Sequence, residues 1–111
     1  MARVLKNVVI QAIATTDLTE LEYEVPARSV ATASLVLSNQ SASDLDITVY
    51  INNVDADHLL VSEKIPAGSG QTWFVKELNF QKLNSGYKVK VQATTTDAFK
   101  AFMSVSEISD S

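Results

Sequence analysis

Side chains able to do nucleophilic, acid–base or metal chemistry are few in this chain and poorly grouped. His58, in Asp55-Ala56-Asp57-His58, is the single histidine, and there is no cysteine. Thiol nucleophiles, disulfide frameworks and the Cys/His sets that hold zinc are therefore excluded. A catalytic His58 would need a nucleophile in reach and a group to orient its ring. Serines are abundant, but none stands in a Gly-x-Ser-x-Gly turn between a strand and a helix. The expectation is a surface histidine beside acids. Asp44, Asp46, Asp55 and Asp57 bracket one apolar segment and offer the oxygens calcium takes, but the spacing of an EF-hand loop is missing, so solvated turns are expected. The segment Lys64 to Trp73, KIPAGSGQTW, resembles a phosphate-holding loop at first sight. Such a loop needs backbone N–H groups converging at the start of a helix and a lysine after the glycines. Here the glycines are followed by Gln-Thr-Trp-Phe-Val, a strand pattern, and Lys64 precedes them. A bend between two strands is the reading.

The bulk composition points the same way. With 111 residues the chain is in the single-domain range and long enough to bury roughly 65% of its unfolded surface without a disulfide or metal. The absence of cysteine fits folding in a reducing cytoplasm. Nine Lys and Arg against thirteen Asp and Glu give a formal charge of -4, and the basic residues are scattered singly. Phosphate contacts need a basic surface, so nucleic acid is not an expected partner. Arg3 and Lys6 precede an apolar run, and Ala12-Ile13-Ala14 resembles a cleavage site, but Asn7 and Gln11 interrupt the run; a signal peptide is not expected. Nothing approaches the roughly 20 apolar residues of a membrane helix, so no membrane partner is expected.

The elements that must position these side chains read as strands. Leu21, Tyr23 and Val25 alternate with Glu20, Glu22 and Glu24, the period of a strand with one wet face. Leu45, Ile47, Val49 and Ile51 alternate with Asp46, Thr48, Tyr50 and Asn52, and Tyr87, Val89, Val91 and Ala93 with Lys88, Lys90, Gln92 and Thr94. Further strands are expected over 31–39, 58–65, 71–78 and 99–108, each rich in β-branched or aromatic residues. Between them lie turn-forming runs of Asn, Asp, Ser and Gly. With the first strand this makes about eight, at a spacing of about ten residues per strand and turn, the pattern of an all-β antiparallel sandwich or barrel. No convincing amphipathic helix is present. Val25-Pro26-Ala27-Arg28-Ser29 and Ile65-Pro66-Ala67-Gly68-Ser69 form a weak repeat containing both prolines, each ending one strand, and a following strand ends in Asn39 and again in Asn79. Duplication and two similar Greek-key corners both account for it.

Candidate partner contacts follow from strand geometry. Trp73 and Phe74 are consecutive and must face opposite ways, so one leaves the core; Tyr50 lies on the polar side of its strand. Either aromatic suits the centre of an interface. In the first strand Val4, Val8 and Ile10 fall on one face, and Leu5, Val9 and Ile13 on the other, so both faces are apolar. A segment over 1–17 that is a central strand or a subunit-contacting arm, ahead of a sandwich over 18–111, is the expectation. Contact candidates are Val4, Leu5, Val8, Val9, Tyr50 and Phe74.

From about Leu18 to Ile108 the order of turn and strand signatures resembles small β-sandwich structural proteins of tailed bacteriophage virions. The pieces are Tyr23 to Ala27, Asn39 to Ser41, Thr48 to Ile51, Ile65 to Ser69, Leu83 to Gly86 and Val105 to Ile108. The chain departs from that pattern at Ser85-Gly86-Tyr87, where Gly-Asp is common, so the turn there is expected to differ. The resemblance implies a jelly-roll-like sandwich without enzymatic activity or cofactor. It further implies a copy-rich virion component and does not fix head or tail. The expectation is a homo-oligomer, a trimer being favoured, that assembles in the host bacterial cytoplasm and decorates and cements the capsid through the major capsid protein or other virion proteins. A tail, collar or fibre-base protein, with a glycan-binding role, is the alternative it leaves open. A small hydrolase lacks any acid, base and nucleophile set here.

Overall fold

A computed structural model describes the backbone of residues 2–67, 71–94 and 99–110, and side chains over 6–67, 71–94 and 99–108. Eight strands run in chain order: β1 Ala2–Ile13, β2 Thr19–Glu24, β3 Ser29–Asn39, β4 Leu45–Asn52, β5 Asp57–Ile65, β6 Gln71–Phe74, β7 Lys88–Ala93 and β8 Phe99–Asp110. They form two four-stranded antiparallel sheets, ordered β1-β8-β3-β6 and β2-β7-β4-β5. Eight strands exchanged between two sheets in this order make a jelly roll. The fold is the all-β sandwich that the alternation predicts.

The core is built from the inward half of each alternating run. Leu45, Ile47 and Val49 of β4 face Leu35 and Leu37 of β3 and Phe99, Ala101, Met103 and Val105 of β8, all buried. β1 closes one edge of its sheet by pairing with β8 along its whole length, from Ala2 opposite Asp110 to Ile13 opposite Phe99. Its odd-numbered residues Val9 and Ile13 are buried in the core.

One expected strand is shorter than the sequence implies. The run 71–78 leaves the sheet after Phe74 and turns into a 3-10 helix, Lys76–Phe80. Val75 and Leu78 are both fully buried. Residues three apart share a side in a 3-10 turn and fall on opposite faces in a strand, so burying both requires the turn. Val75 N still donates to Leu35 O at 2.9 Å, and Leu78 N then donates to Val75 O at 3.2 Å.

The glycines at 68 and 70, and with them the phosphate-loop question, lie outside the described residues. Gly86 does occupy the left-handed region, with φ +85°, and its N–H donates to Val25 O at 2.8 Å. A Cβ there would stand 2.9 Å from Val54 Cγ2. Val54 itself has φ +79° in the turn between β4 and β5, unusual for a β-branched residue, and is 65% exposed. Its N–H donates to Asn52 Oδ1 at 3.0 Å, which holds the turn closed in spite of the strain. Asn tolerates this conformation, so Val54→Asn is expected to stabilise the fold by about 1 kcal/mol, a rise of several degrees in thermal midpoint that calorimetry reads directly.

Candidate interaction surface

The two outer faces of the sandwich differ in chemistry. On the β2-β7-β4-β5 sheet the outward side chains form a charged lattice. Lys88 Nζ lies 3.2 Å from Glu20 and 3.6 Å from Glu24, and Lys90 Nζ 3.0 Å from Asp57. Asp57 also accepts from Asn52 Nδ2 at 2.8 Å; that bond first, then Lys90, holds its carboxyl below the usual carboxylate range. The Glu20 carboxylate raises the Lys88 ammonium above its ordinary value. Tyr50 belongs to this lattice. It is half-buried opposite Lys90, with its hydroxyl 3.4 Å from Gln92 Oε1, and a bulge in β5 places exposed Leu59 beside it.

The outer face of the β1-β8-β3-β6 sheet carries no carboxylate among the described side chains. Register aligns Ile10 on β1 with Phe102 on β8, Phe102 with Val36 on β3, and Val36 with Phe74 on β6. One apolar ridge therefore crosses all four strands. Ile10 is 63% exposed, Phe74 49% and Phe102 37%; Val8, one row away on β1, is 65% exposed. Beside the ridge runs a trough of about 380 Å³ floored by Thr32, Ser34, Ser104 and Ser106, with Lys6, Val8 and Asn79 at its margins. Ser34 Oγ meets Asn79 Oδ1 at 3.0 Å, tying the 3-10 helix to this face.

The sequence-derived contact residues are thus divided by the fold. Val8 and Phe74 share the apolar face. Tyr50 sits on the opposite, charged face, and Val9 is a core residue rather than a contact, because its strand parity matches Ile13. The backbone of Val4 pairs opposite Ile108 and that of Leu5 opposite Glu107; their side chains lie outside the described residues. Ile10, Phe102 and Ile108 complete the face and are absent from that candidate set. The signal for Phe102 is its phase: it breaks the inward series Phe99, Ala101, Met103, Val105.

Among the described residues no nucleophile, base and orienting group come together on either face. His58 is exposed at the start of β5, and no cluster of three His, Cys, Asp or Glu able to hold a metal occurs among the described residues. A part-buried side-chain pair joins the sheets: Tyr23 Oη donates to Glu107 Oε2 at 2.5 Å, with Glu107 only 6% exposed. Burial first, then this bond and the carboxylate charge, raise the Tyr23 phenol well above its ordinary value. A proton held more tightly in the folded state gives stability that is complete below the ordinary phenol value, near pH 10, and lost as pH rises above it. Tyr23→Phe is expected to cost about 1.5–3 kcal/mol at pH 7 and to remove that alkaline slope, as read by denaturant unfolding at pH 7 and above pH 10.

No protein-family model matches this chain, and no curated protein matches it in sequence. Solved structures match its fold. A Bacillus endospore appendage protein, from a family of disulfide-linked pili, is 12% identical over 100% of this chain and 92% of that one, with a TM-score of 0.60. A protein in the acid-stable capsid of Helicobacter pylori bacteriophage KHP30 is 8% identical over 100% and 95%, with a TM-score of 0.54. A protein of infectious bursal disease virus, Gx strain, is 12% identical over 97% of this chain and 33% of that one, with a TM-score of 0.50. At these identities the likeness is one of fold. Lacking cysteine, this chain has no residue for the disulfide linkage of the pili.

Proposed function

We propose that this chain is a non-enzymatic structural protein of a bacteriophage virion that decorates and cements the capsid as a homo-oligomer. The observation that carries the reading is the asymmetry of the sandwich. One outer face is a solvated charge lattice; the other is an uncovered apolar ridge, and among the described residues no catalytic constellation lies on either. Burial of apolar area across subunit boundaries, at about 25 cal/mol per Å², is the mechanism such a face supports. The similarity in fold to proteins of viral capsids and of a pilus is consistent with it. The sequence resemblance to virion sandwiches leaves head or tail open; three copies on the head is the reading adopted, with a tail, collar or fibre-base protein as its alternative.

The test is co-sedimentation of the purified chain with separated phage heads and tails. Saturable binding to heads, with added resistance of the particles to heat, is the expected result. Binding to tails alone would transfer the role to a collar or fibre base, and binding to neither would overturn the virion reading.

A further inference from the structure

We infer that the outer face of the β1-β8-β3-β6 sheet is the site where a second copy of this chain docks, face to face, with the ridge of each copy seated in the trough of the other. The inference deepens the structural reading above and rests on it for the expectation of self-assembly.

Three observations carry it. The first is area. The exposed fractions of Val8, Ile10, Phe74 and Phe102 leave on the order of 400 Å² of contiguous apolar surface on one face, within the roughly 300–600 Å² of the largest patch on ordinary monomers. Two such faces bring roughly 800 Å² of apolar surface, and the Ser and Thr rows seated against them carry the contact past the roughly 1,000 Å² that separates a stable contact from an incidental one.

The second is shape. On the two central strands the ridge row is followed by rows of Ser and Thr, on β8 Ser104 and Ser106 after Phe102 and on β3 Ser34 and Thr32 before Val36, while on the edge strand β1 the same rows hold Val8 and Lys6. Rows two residues apart are separated by about 7 Å along the strand. A twofold axis lying in the face, parallel to the rows and midway between ridge and trough, places each ridge over the other copy's trough. A bulky row beside a small-residue row is self-complementary, as a contact between identical faces must be. Under this operation the row of Lys6 faces the row of Lys100 on the neighbouring strand, so added salt, which screens like charges, is expected to strengthen the pairing.

The third is that the sheet edges are already managed while the face is not. Edge strands invite pairing unless blunted. At β1 the Asn7 side chain accepts the Val8 N–H at 3.0 Å. Gln11 reaches from β1 to the edge of β2, donating to Glu20 O at 3.2 Å and accepting from Glu22 N at 2.9 Å. β6 has only four residues, and β5 is bulged and bears Glu63 and Lys64. Association through an edge is thereby disfavoured, while the apolar face stays uncovered. A face that meets itself about a twofold axis yields pairs, so a trimer would need a second contact.

The experiment uses the full chain. Light scattering from micromolar to millimolar concentration should show the wild-type mass rising from one copy to two. Phe102→Lys should weaken association by roughly 30-fold or more, with the thermal midpoint at low concentration unchanged, whereas Thr48→Lys on the charged face should leave association intact. Because the chain has no cysteine, Ser104→Cys gives a single thiol in the trough. It should react with a maleimide slowly when concentrated and fast when dilute, while Thr48→Cys reacts fast at both. A wild-type chain that stays a single copy throughout, an unchanged mass for Phe102→Lys, or equal reactivity of the two thiols would overturn the proposal. If the chain remains a single copy yet binds phage heads, this inference fails and the capsid reading stands; a protected trough in a chain that binds no head leaves the reverse.

Discussion

Asn39→Leu should lower stability by about 3–5 kcal/mol, enough to leave a domain of ordinary stability largely unfolded at 37 °C. Asn39 is fully buried at the end of β3. Its Nδ2 donates toward three carbonyls: Ser43 O at 2.8 Å, Pro66 O at 3.1 Å and Ile65 O at 3.2 Å. Its Oδ1 accepts from Ser41 N at 2.9 Å and Ser41 Oγ at 2.7 Å. One side chain thereby closes the turn after β3 and anchors the end of β5 beneath it. Leucine matches the volume but leaves these buried groups without partners, and the desolvation cost of each remains. Asn39→Asp distinguishes hydrogen bonding from packing. It keeps the acceptor for Ser41 but turns a carboxylate oxygen toward three carbonyls. The buried acid is held protonated, with its folded value raised above the ordinary one near 4, so stability falls as pH rises through that point. Unfolding by urea should find Asn39→Asp markedly weaker at pH 7 than at pH 3.5 relative to wild type. Equal losses at both pH values would refute the assigned donor.

The second large effect separates two phenylalanines of one strand. Phe99 is 1% exposed and lies opposite Ile13 on one side and Asn39 on the other; Phe102 is 37% exposed on the ridge. Three residues apart on a strand, they face opposite sides of the sheet. Phe99→Ala should cost about 3–5 kcal/mol through lost contacts and a residual cavity. Phe102→Ser should cost under about 1 kcal/mol and chiefly raise solubility, since it removes exposed apolar surface. Chemical denaturation of the two variants, compared at equal concentration, measures both. Similar losses would mean that Phe102 also packs into the monomer.

Much of this fold was legible because its strands obey a simple period. Leu45 to Ile51 and Val89 to Ala93 alternate cleanly, and each buries the face that the alternation names. Legibility failed where a tertiary demand outranked the period. Val75 and Leu78 both needed the core, so the expected strand over 71–78 became strand and 3-10 turn. The exposed apolar face was half legible. Phe74 had to leave the core because Trp73 entered it, and Val8 followed from the two-sided first strand. The ridge was not legible, because it exists only in the register: Ile10, Phe102, Val36 and Phe74 are distant in the chain and become neighbours through the order β1-β8-β3-β6. The Tyr23 to Glu107 bond was hidden for the same reason, joining residues 84 apart.

The central claim is that this protein works through one face of its sandwich and presents the other to water. Hydroxyl-radical footprinting of the assembled chain against the same chain diluted to single copies tests it most directly. Ile10, Phe74 and Phe102 are expected to be protected on assembly while Tyr50 and Leu59 are oxidised equally in both states. Protection of Tyr50 and Leu59, with the ridge still oxidised, would place the working surface on the charged sheet and contradict it.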